Sequence, residues 1–286
     1  MEAIGFIGLG IMGKPMSLNL LKAGYPVNVL KSSSAAEDLA EAGATVFPDT
    51  QSLVSASTII ITMLPDSPEV ETVVLGKEGV GEHIKAHSLF IDMSTIAPST
   101  ATKLYAALKQ KNVEALDAPV SGGQVGAEAG TLSIMVGGQE DAFTRALPVF
   151  EKMGKNVVLI GESGAGQMTK ACNQMIVGMT IQAVGEAFSL AGKAGVNLVK
   201  MREVLLGGFA QSRILDLHGQ RIIDQNFKPG FKMKLHKKDM NIAIQAGEEF
   251  AVALEGTSLV AAKMDQAIAS GNGELDHSAL YLAVDK

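Results

Sequence analysis

A single cysteine, Cys172, among 286 residues excludes an intramolecular disulfide and fits a reducing compartment, so a cytoplasmic location is expected. Charged residues are sparse at 19%, and the net charge of −6 leaves no basic balance or arm for nucleic acid or an anionic membrane surface. No basic segment followed by a short apolar core marks a secretory leader, and no apolar run is expected to be long enough to cross a bilayer. The five histidines are scattered along the chain. They form no group with Cys172 or carboxylates at metal-ligand spacing, so no metal is expected. Fixed-period repeats and low-complexity tracts are absent too. Apolar residues, by contrast, make up 47% of the chain, enough for the cores of two ordinary domains.

The strongest positive signal is at the start. Ala3-Ile4-Gly5-Phe6-Ile7 reads as a buried strand and runs into Gly8-Leu9-Gly10-Ile11-Met12-Gly13, then into a helical pattern ending at Ala23-Gly24. Strand, GxGxxG and helix in that order form a dinucleotide fingerprint. Gly8 permits the tight turn, Gly10 lets the backbone approach a pyrophosphate, and Gly13 lets helix and strand pack closely. The helix N-terminus offers N–H groups and a partial positive charge to the phosphates.

Short apolar runs alternate with helical segments up to about residue 160. They include Val27–Leu30, Thr45–Phe47, Thr58–Leu64, Leu89–Met93, Ala115–Val120, Leu132–Val136 and Val157–Ile160. Such near-continuous apolar strands predict a largely parallel sheet covered on both faces. After Gly161 the pattern becomes helical. A long helix is expected from Gly164, packing through Met168, Cys172, Met175, Met179, Ala183 and Ala187. Helices over Val199–Leu206, Ile214–Asn226, Asp239–Glu249 and Ser258–Ser270 should follow. The expected organisation is α/β: a dinucleotide-binding domain over 1–163, a connecting helix over 164–193 and an all-α domain over 194–286.

Cofactor choice turns on the end of the second strand. An acidic residue there would hold the ribose 2′-OH of NAD. This chain instead has Lys31-Ser32-Ser33-Ser34, and its next carboxylates, Glu37 and Asp38, fall inside the following helix. A lysine with hydroxyls suits a 2′-phosphate, so NADP(H) is preferred over NAD(H), with an ordinary solvated turn as the alternative.

Three further stretches carry chemistry. In Asp117-Ala118-Pro119-Val120-Ser121-Gly122-Gly123, a hydroxyl and adjacent N–H groups could cradle a carboxylate, or form a plain turn. In Gly164-Ala165-Gly166-Gln167-Met168-Thr169-Lys170, the lysine opposes the helix dipole, with Asn173 and Gln174 one turn on. Partly desolvated, it can exchange a proton near neutral pH; otherwise it is a surface lysine. His236-Lys237-Lys238-Asp239 reads from spacing as a charged helix start with Asp239 near its N-terminal end.

Taken jointly and in order, the GLGIMG, DAPVSGG, GAG-with-Lys170 and Lys238-Asp239 motifs make the chain resemble the β-hydroxyacid dehydrogenase family over nearly its full length. Within the family the likeness extends to Asn226–Phe231, Leu235-His236 and Asp276-His277-Ser278-Ala279-Leu280. The resemblance implies a Rossmann-like domain, a long helix and a helical domain that forms a homodimer or homotetramer. It makes Lys170 the general acid of aldehyde reduction and gives the substrate carboxylate to Ser121, Gly122 and Gly123. The amide that orients substrate or lysine would be Asn173 or Gln174. Met63, Leu64, Pro65 and Thr95 would line the cofactor together with Gly8, Leu9, Gly10, Ile11, Met12 and Gly13. Lys238 would lie near the nicotinamide, and Phe231 and Asp239 would close the site.

The implied activity is NADPH-dependent reduction of a small anionic aldehyde acid to the hydroxy acid, with tartronate semialdehyde to glycerate the best match. Alternatives in the same class are glyoxylate, succinic semialdehyde and 3-hydroxyisobutyrate. The last is disfavoured by the missing acidic residue after Leu30. A non-catalytic cofactor-binding scaffold is the alternative of another class, and the presence of Lys170 argues against it.

Overall fold

The computed structural model describes residues 1–284 and divides them into two compact units, Met1–Lys170 and a second beginning at Ala171. The first is built on one sheet of nine strands: β1 (Ile4–Ile7), β2 (Val27–Leu30), β3 (Thr45–Phe47), β4 (Ile59–Thr62), β5 (Leu89–Asp92), β6 (Glu114–Asp117), β7 (Val120–Ser121), β8 (Leu132–Gly137) and β9 (Gly154–Gly161). Their order is β3-β2-β1-β4-β5-β6-β8-β7, with β9 also paired to β8. From β3 to β6 every pairing is parallel; β8 runs antiparallel to β6 and β7.

Every residue of β1, β4 and β5 is buried, because helices cover both faces. Side chains alternate along each strand. Thus Ile59 and Ile61 join Phe6 in one core, while Ile60 joins Ile7 and Phe90 in the other. Each such side chain contributes roughly 1.5–3 kcal/mol by leaving water. The apolar run Ala115–Val120, expected as one strand, is two. Pro119 lacks an N–H, and the chain passes there from the parallel pairing of β6 with β5 to the antiparallel pairing of β7 with β8.

The long helix spans Ala165–Lys193, 29 residues, and runs across the boundary of the two units. By length and composition it could cross a membrane, with mean hydropathy 1.3 over its most apolar window. That corrects the expectation that no run is long enough: alanine and methionine together with Ile176, Val177, Ile181, Val184 and Phe188 raise the hydropathy, and few residues are charged. Gln174, Gln182 and Ser189 are nevertheless buried on it. The expected Met168–Ala187 stripe is also displaced. Cys172 and Ala183 are exposed, and the buried line runs instead through Ala171, Gln174, Gly178, Ile181 and Phe188. The packed face takes small residues such as Ala171 and Gly178 beside Ile181 and Phe188, so it does not follow the methionines.

In the second unit, helices Leu198–Leu206 and Arg213–Ile223 start at caps, with Asn197 and Ser212 accepting from the N–H groups of Lys200 and Leu215. Then come Met233–Glu249, Glu255–Ala267 and a 3₁₀ turn over His277–Ala283. The helix Met233–Glu249 corrects the sequence reading. It begins at Met233, so Asp239 is buried in its second turn rather than lying near its N-terminal end.

Candidate active site

The glycine loop leaves β1 and enters the helix Gly13–Lys22, which has no side-chain cap and no acidic residue in its first turn. Its three glycines have different jobs. At Gly8, with φ +100°, a Cβ would sit 2.2 Å from the Met63 carbonyl oxygen. At Gly13 it would sit 1.8 Å from the Gly8 carbonyl oxygen. Gly10 has no atom within 4 Å of that position. Two glycines therefore serve close packing, and the third leaves open space beside uncapped N–H groups, which fits a pyrophosphate. Leu9 is buried beneath the loop, whereas Ile11 is 54% exposed.

At the end of β2, Lys31 and Ser32 are exposed. Of the next carboxylates, Asp38 is paired with Lys14. Met63-Leu64-Pro65 follows β4, and the Leu64 N–H donates to Ser94 Oγ at 2.8 Å, tying this turn to the loop that carries Thr95. Asp92, at the end of β5, is raised to a pKa of about 6 by burial. That effect is opposed by hydrogen bonds from Ser94 Oγ at 2.6 Å and Thr62 Oγ1 at 2.7 Å.

The first turn of the long helix is anchored in the same unit. Asp117 accepts from the N–H of Gly164 at 2.7 Å and of Gln167 at 2.9 Å. The Gln167 side chain accepts from the Ile96 N–H at 3.1 Å and donates to the Ser94 carbonyl at 2.8 Å, gripping both neighbours of Thr95. Burial pushes the Asp117 carboxyl up, against these backbone donors. Three residues beyond Gln167, Lys170 is only 6% exposed, so it is not the solvated surface lysine that the sequence left open. Ser121 pairs with Ser133 across β7 and β8. Gly122 (φ +138°) and Gly123 (φ +61°) follow it, with open space at Gly123.

In the helical unit, Gln174 is buried and donates to Asp239 Oδ2 at 2.6 Å, while its Oε1 accepts from Asn173 at 2.8 Å. Lys238 Nζ lies 2.9 Å from Asp239 Oδ1. Phe231 is partly exposed, its ring edge-on to His277 with centroids 5.4 Å apart.

Sequence reasoning missed Gln167 and Ser94, and read Asp117 only as part of a strand. A carboxylate ending a strand, with a Gly-x-Gly helix start to cap, was the available signal. It also missed that histidines scattered in sequence gather in space. His218, Asp276 and His277 offer ligand atoms within 4.8 Å of one another, as do Glu78, Glu82 and His83, which corrects the expectation that no such group exists. Asp276 already accepts four hydrogen bonds, from Gly230 N, Phe231 N, Ser278 N and Ser278 Oγ.

The glycine loop, the parallel sheet and the long helix define a nicotinamide-dependent oxidoreductase. Residues 3–161 match the NAD binding domain of 6-phosphogluconate dehydrogenase, and residues 164–284 match the NAD-binding domain of NADP-dependent 3-hydroxyisobutyrate dehydrogenase. The chain belongs to the β-hydroxyacid dehydrogenase family, whose members act on CH–OH groups. It is 44% identical to the 2-hydroxy-3-oxopropionate reductase of Escherichia coli (strain K12), over 99% of this chain and 97% of that one. The structure of Mycobacterium tuberculosis 3-hydroxyisobutyrate dehydrogenase with L-serine superposes with a TM-score of 0.91 at 34% identity, covering both chains fully. Psf3 in complex with NADP+ and 2-OPP gives 0.89 at 26% identity, over 99% of this chain and 100% of that one.

Proposed function

We propose that this protein reduces a short aldehyde acid to the hydroxy acid with NADPH, and that tartronate semialdehyde, giving glycerate, is its substrate. The observation that carries the reading is Lys170: a buried lysine early in a helix whose first turn is fastened to Asp117 and to both neighbours of Thr95. The 44% identity to a 2-hydroxy-3-oxopropionate reductase supports the choice of substrate.

The nicotinamide cofactor, when bound, supplies the hydride. Gly8, Gly10 and Gly13, with Leu9, Ile11 and Met12, would hold its pyrophosphate; Met63, Leu64, Pro65, Thr95 and Lys238 would line the rest. Lys31 and Ser32 supply a cation and a hydroxyl for a 2′-phosphate, and the nearby Asp38 is occupied by Lys14. The Lys170 ammonium donates its proton to the substrate oxygen as negative charge develops there, and recovers it from solvent. The Ser121 hydroxyl and the N–H groups of Gly122 and Gly123 hold the substrate carboxylate, orienting the carbonyl carbon. Asn173, Phe231 and Asp239 complete substrate recognition, and Gln174 supports Asn173 through their shared hydrogen bond.

The test is oxidation of NADPH and NADH with tartronate semialdehyde, glyoxylate, succinic semialdehyde and methylmalonate semialdehyde, with Lys170→Ala alongside. NADPH turnover on the first, reduced by about 10² or more in the variant with NADPH affinity retained, is expected. A variant keeping most of its activity would remove Lys170 as the acid. No turnover on any of the four, despite tight cofactor binding, would instead favour a cofactor-binding scaffold.

A homo-oligomer is part of the same reading. Leu190, Val204, Phe209 and Leu259 are all more than 60% exposed, and light scattering of the purified protein reads the assembly directly.

A further inference from the structure

The motif Asp276-His277-Ser278 takes no part in the chemistry above, yet it is almost wholly buried. Asp276 Oδ2 accepts from the N–H groups of Gly230 at 2.9 Å and Phe231 at 3.1 Å, holding the backbone of the Phe231 turn. The His277 N–H donates to the Phe231 carbonyl at 2.9 Å, and the imidazole stands edge-on to the Phe231 ring. His277 Nδ1 lies 2.9 Å from His236 Nδ1, and His236 Nε2 lies 3.1 Å from the backbone carbonyl of Gln174.

With both rings neutral, these contacts fix the tautomers. A carbonyl oxygen only accepts, so His236 Nε2 carries its proton and His236 Nδ1 is bare. His277 Nδ1 must then be the donor between the rings. Gly178 lies beside the His236–Gln174 contact, where a Cβ would press on Met240 Sδ at 3.0 Å and touch His236 Cε1 at 3.4 Å. From Gln174 the network continues through the amide to Asp239 and Asn173.

We infer that His277 is a positioning residue for substrate recognition: through its Nδ1–H it locks His236, and so Gln174, Asn173 and Asp239, while its ring and backbone hold Phe231. The inference rests on the proposed role of those four residues. Among the described residues its bonds reach no part of the glycine loop, and its one route toward a cofactor residue is indirect, through Asp239 to Lys238, so NADPH affinity should change little beside kcat/KM.

Two isosteric substitutions test it. In His277→Asn the side-chain amide nitrogen falls where Nδ1 was and still donates. In His277→Gln it falls near the Nε2 position, so polarity and size survive but the bond to His236 does not. kcat/KM for tartronate semialdehyde, NADPH dissociation constant and thermal midpoint would be read for both and for the parent, which must first show NADPH turnover that Lys170→Ala abolishes. The Gln variant should lose roughly tenfold in kcat/KM with NADPH affinity little changed, and the Asn variant should recover to within about threefold of the parent. Equal behaviour of the two variants, whether both active or both impaired, overturns the inference, as does a loss that follows the thermal midpoint alone. A parent inactive on every aldehyde acid overturns the reading of the site and this inference with it, and is told apart by the parent measurement itself.

Discussion

The Asp117 carboxylate accepts a hydrogen bond from the backbone N–H of Gln167 at 2.9 Å, placing a buried negative charge at the positive end of the helix that carries Lys170. The same carboxylate takes the Gly164 N–H, so one side chain satisfies two of the donors that a helix start leaves unpaired. A strand end and a helix start distant in sequence are joined at one point, and Gln167 adds the Ser94–Ile96 loop to it.

Asp117→Ala should therefore cost about 3 kcal/mol in urea-unfolding experiments, because two buried N–H groups lose a charged acceptor. Activity per folded molecule should fall as well, since the start of the Lys170 helix is released. A stability change below about 1 kcal/mol would show that water or another group serves those donors equally well.

The glycines of the loop should separate by function. Gly8→Ala and Gly13→Ala each press a Cβ into a carbonyl oxygen, at 2.2 Å and 1.8 Å, and should destabilise the protein by about 2 kcal/mol or more. Gly10→Ala meets nothing, so its stability should stay within about 0.5 kcal/mol of the parent while NADPH binding weakens at least tenfold. Fluorescence titration with NADPH decides it; undiminished binding by Gly10→Ala would move the pyrophosphate elsewhere.

Lys31→Ala should raise the NADPH dissociation constant about tenfold, the worth of one charge-assisted hydrogen bond, and leave that of NADH unchanged. Parallel losses for both cofactors would mean that Lys31 does not read the 2′-phosphate.

Asp92 carries a pKa of about 6 against an ordinary value of 3.8, raised by burial. A raised carboxyl binds its proton more tightly in the folded than in the unfolded chain. Its contribution to stability is therefore full below pH 4 and is lost as pH climbs through 6. Asp92→Asn removes that titration. The stability of the variant relative to the parent should improve by on the order of 3 kcal/mol between pH 4 and pH 7, the 2.2-unit difference converted at 1.36 kcal/mol per unit. Burial lowers the His218 pKa, which gives a slope of opposite sign common to both proteins, so it cancels in the difference. A flat difference over that range would contradict the raised pKa.

Much of the fold was legible because its signals are local. A short β-branched run such as Ile59-Ile60-Ile61 ended by Pro65 reads as a strand buried on both faces, and Gly8-Leu9-Gly10-Ile11-Met12-Gly13 between strand and helix announces its own turn. The run through Pro119 misled, since apolar character persists where the pairing changes partner. The start of the helix at Met233 misled too. It has no capping side chain, and the charges of Lys237, Lys238 and Asp239 suggested a boundary six residues too late.

The order of elements and the dinucleotide loop are written in the chain, because each is set by neighbours within a turn or a strand. The sequence could not show that Lys170 is buried, that Gln167 clasps both neighbours of Thr95, or that Asp276, His277 and His236 meet. Those contacts join residues dozens of positions apart, and only the closing of the tertiary structure makes unpaired donors and acceptors in the interior find one another.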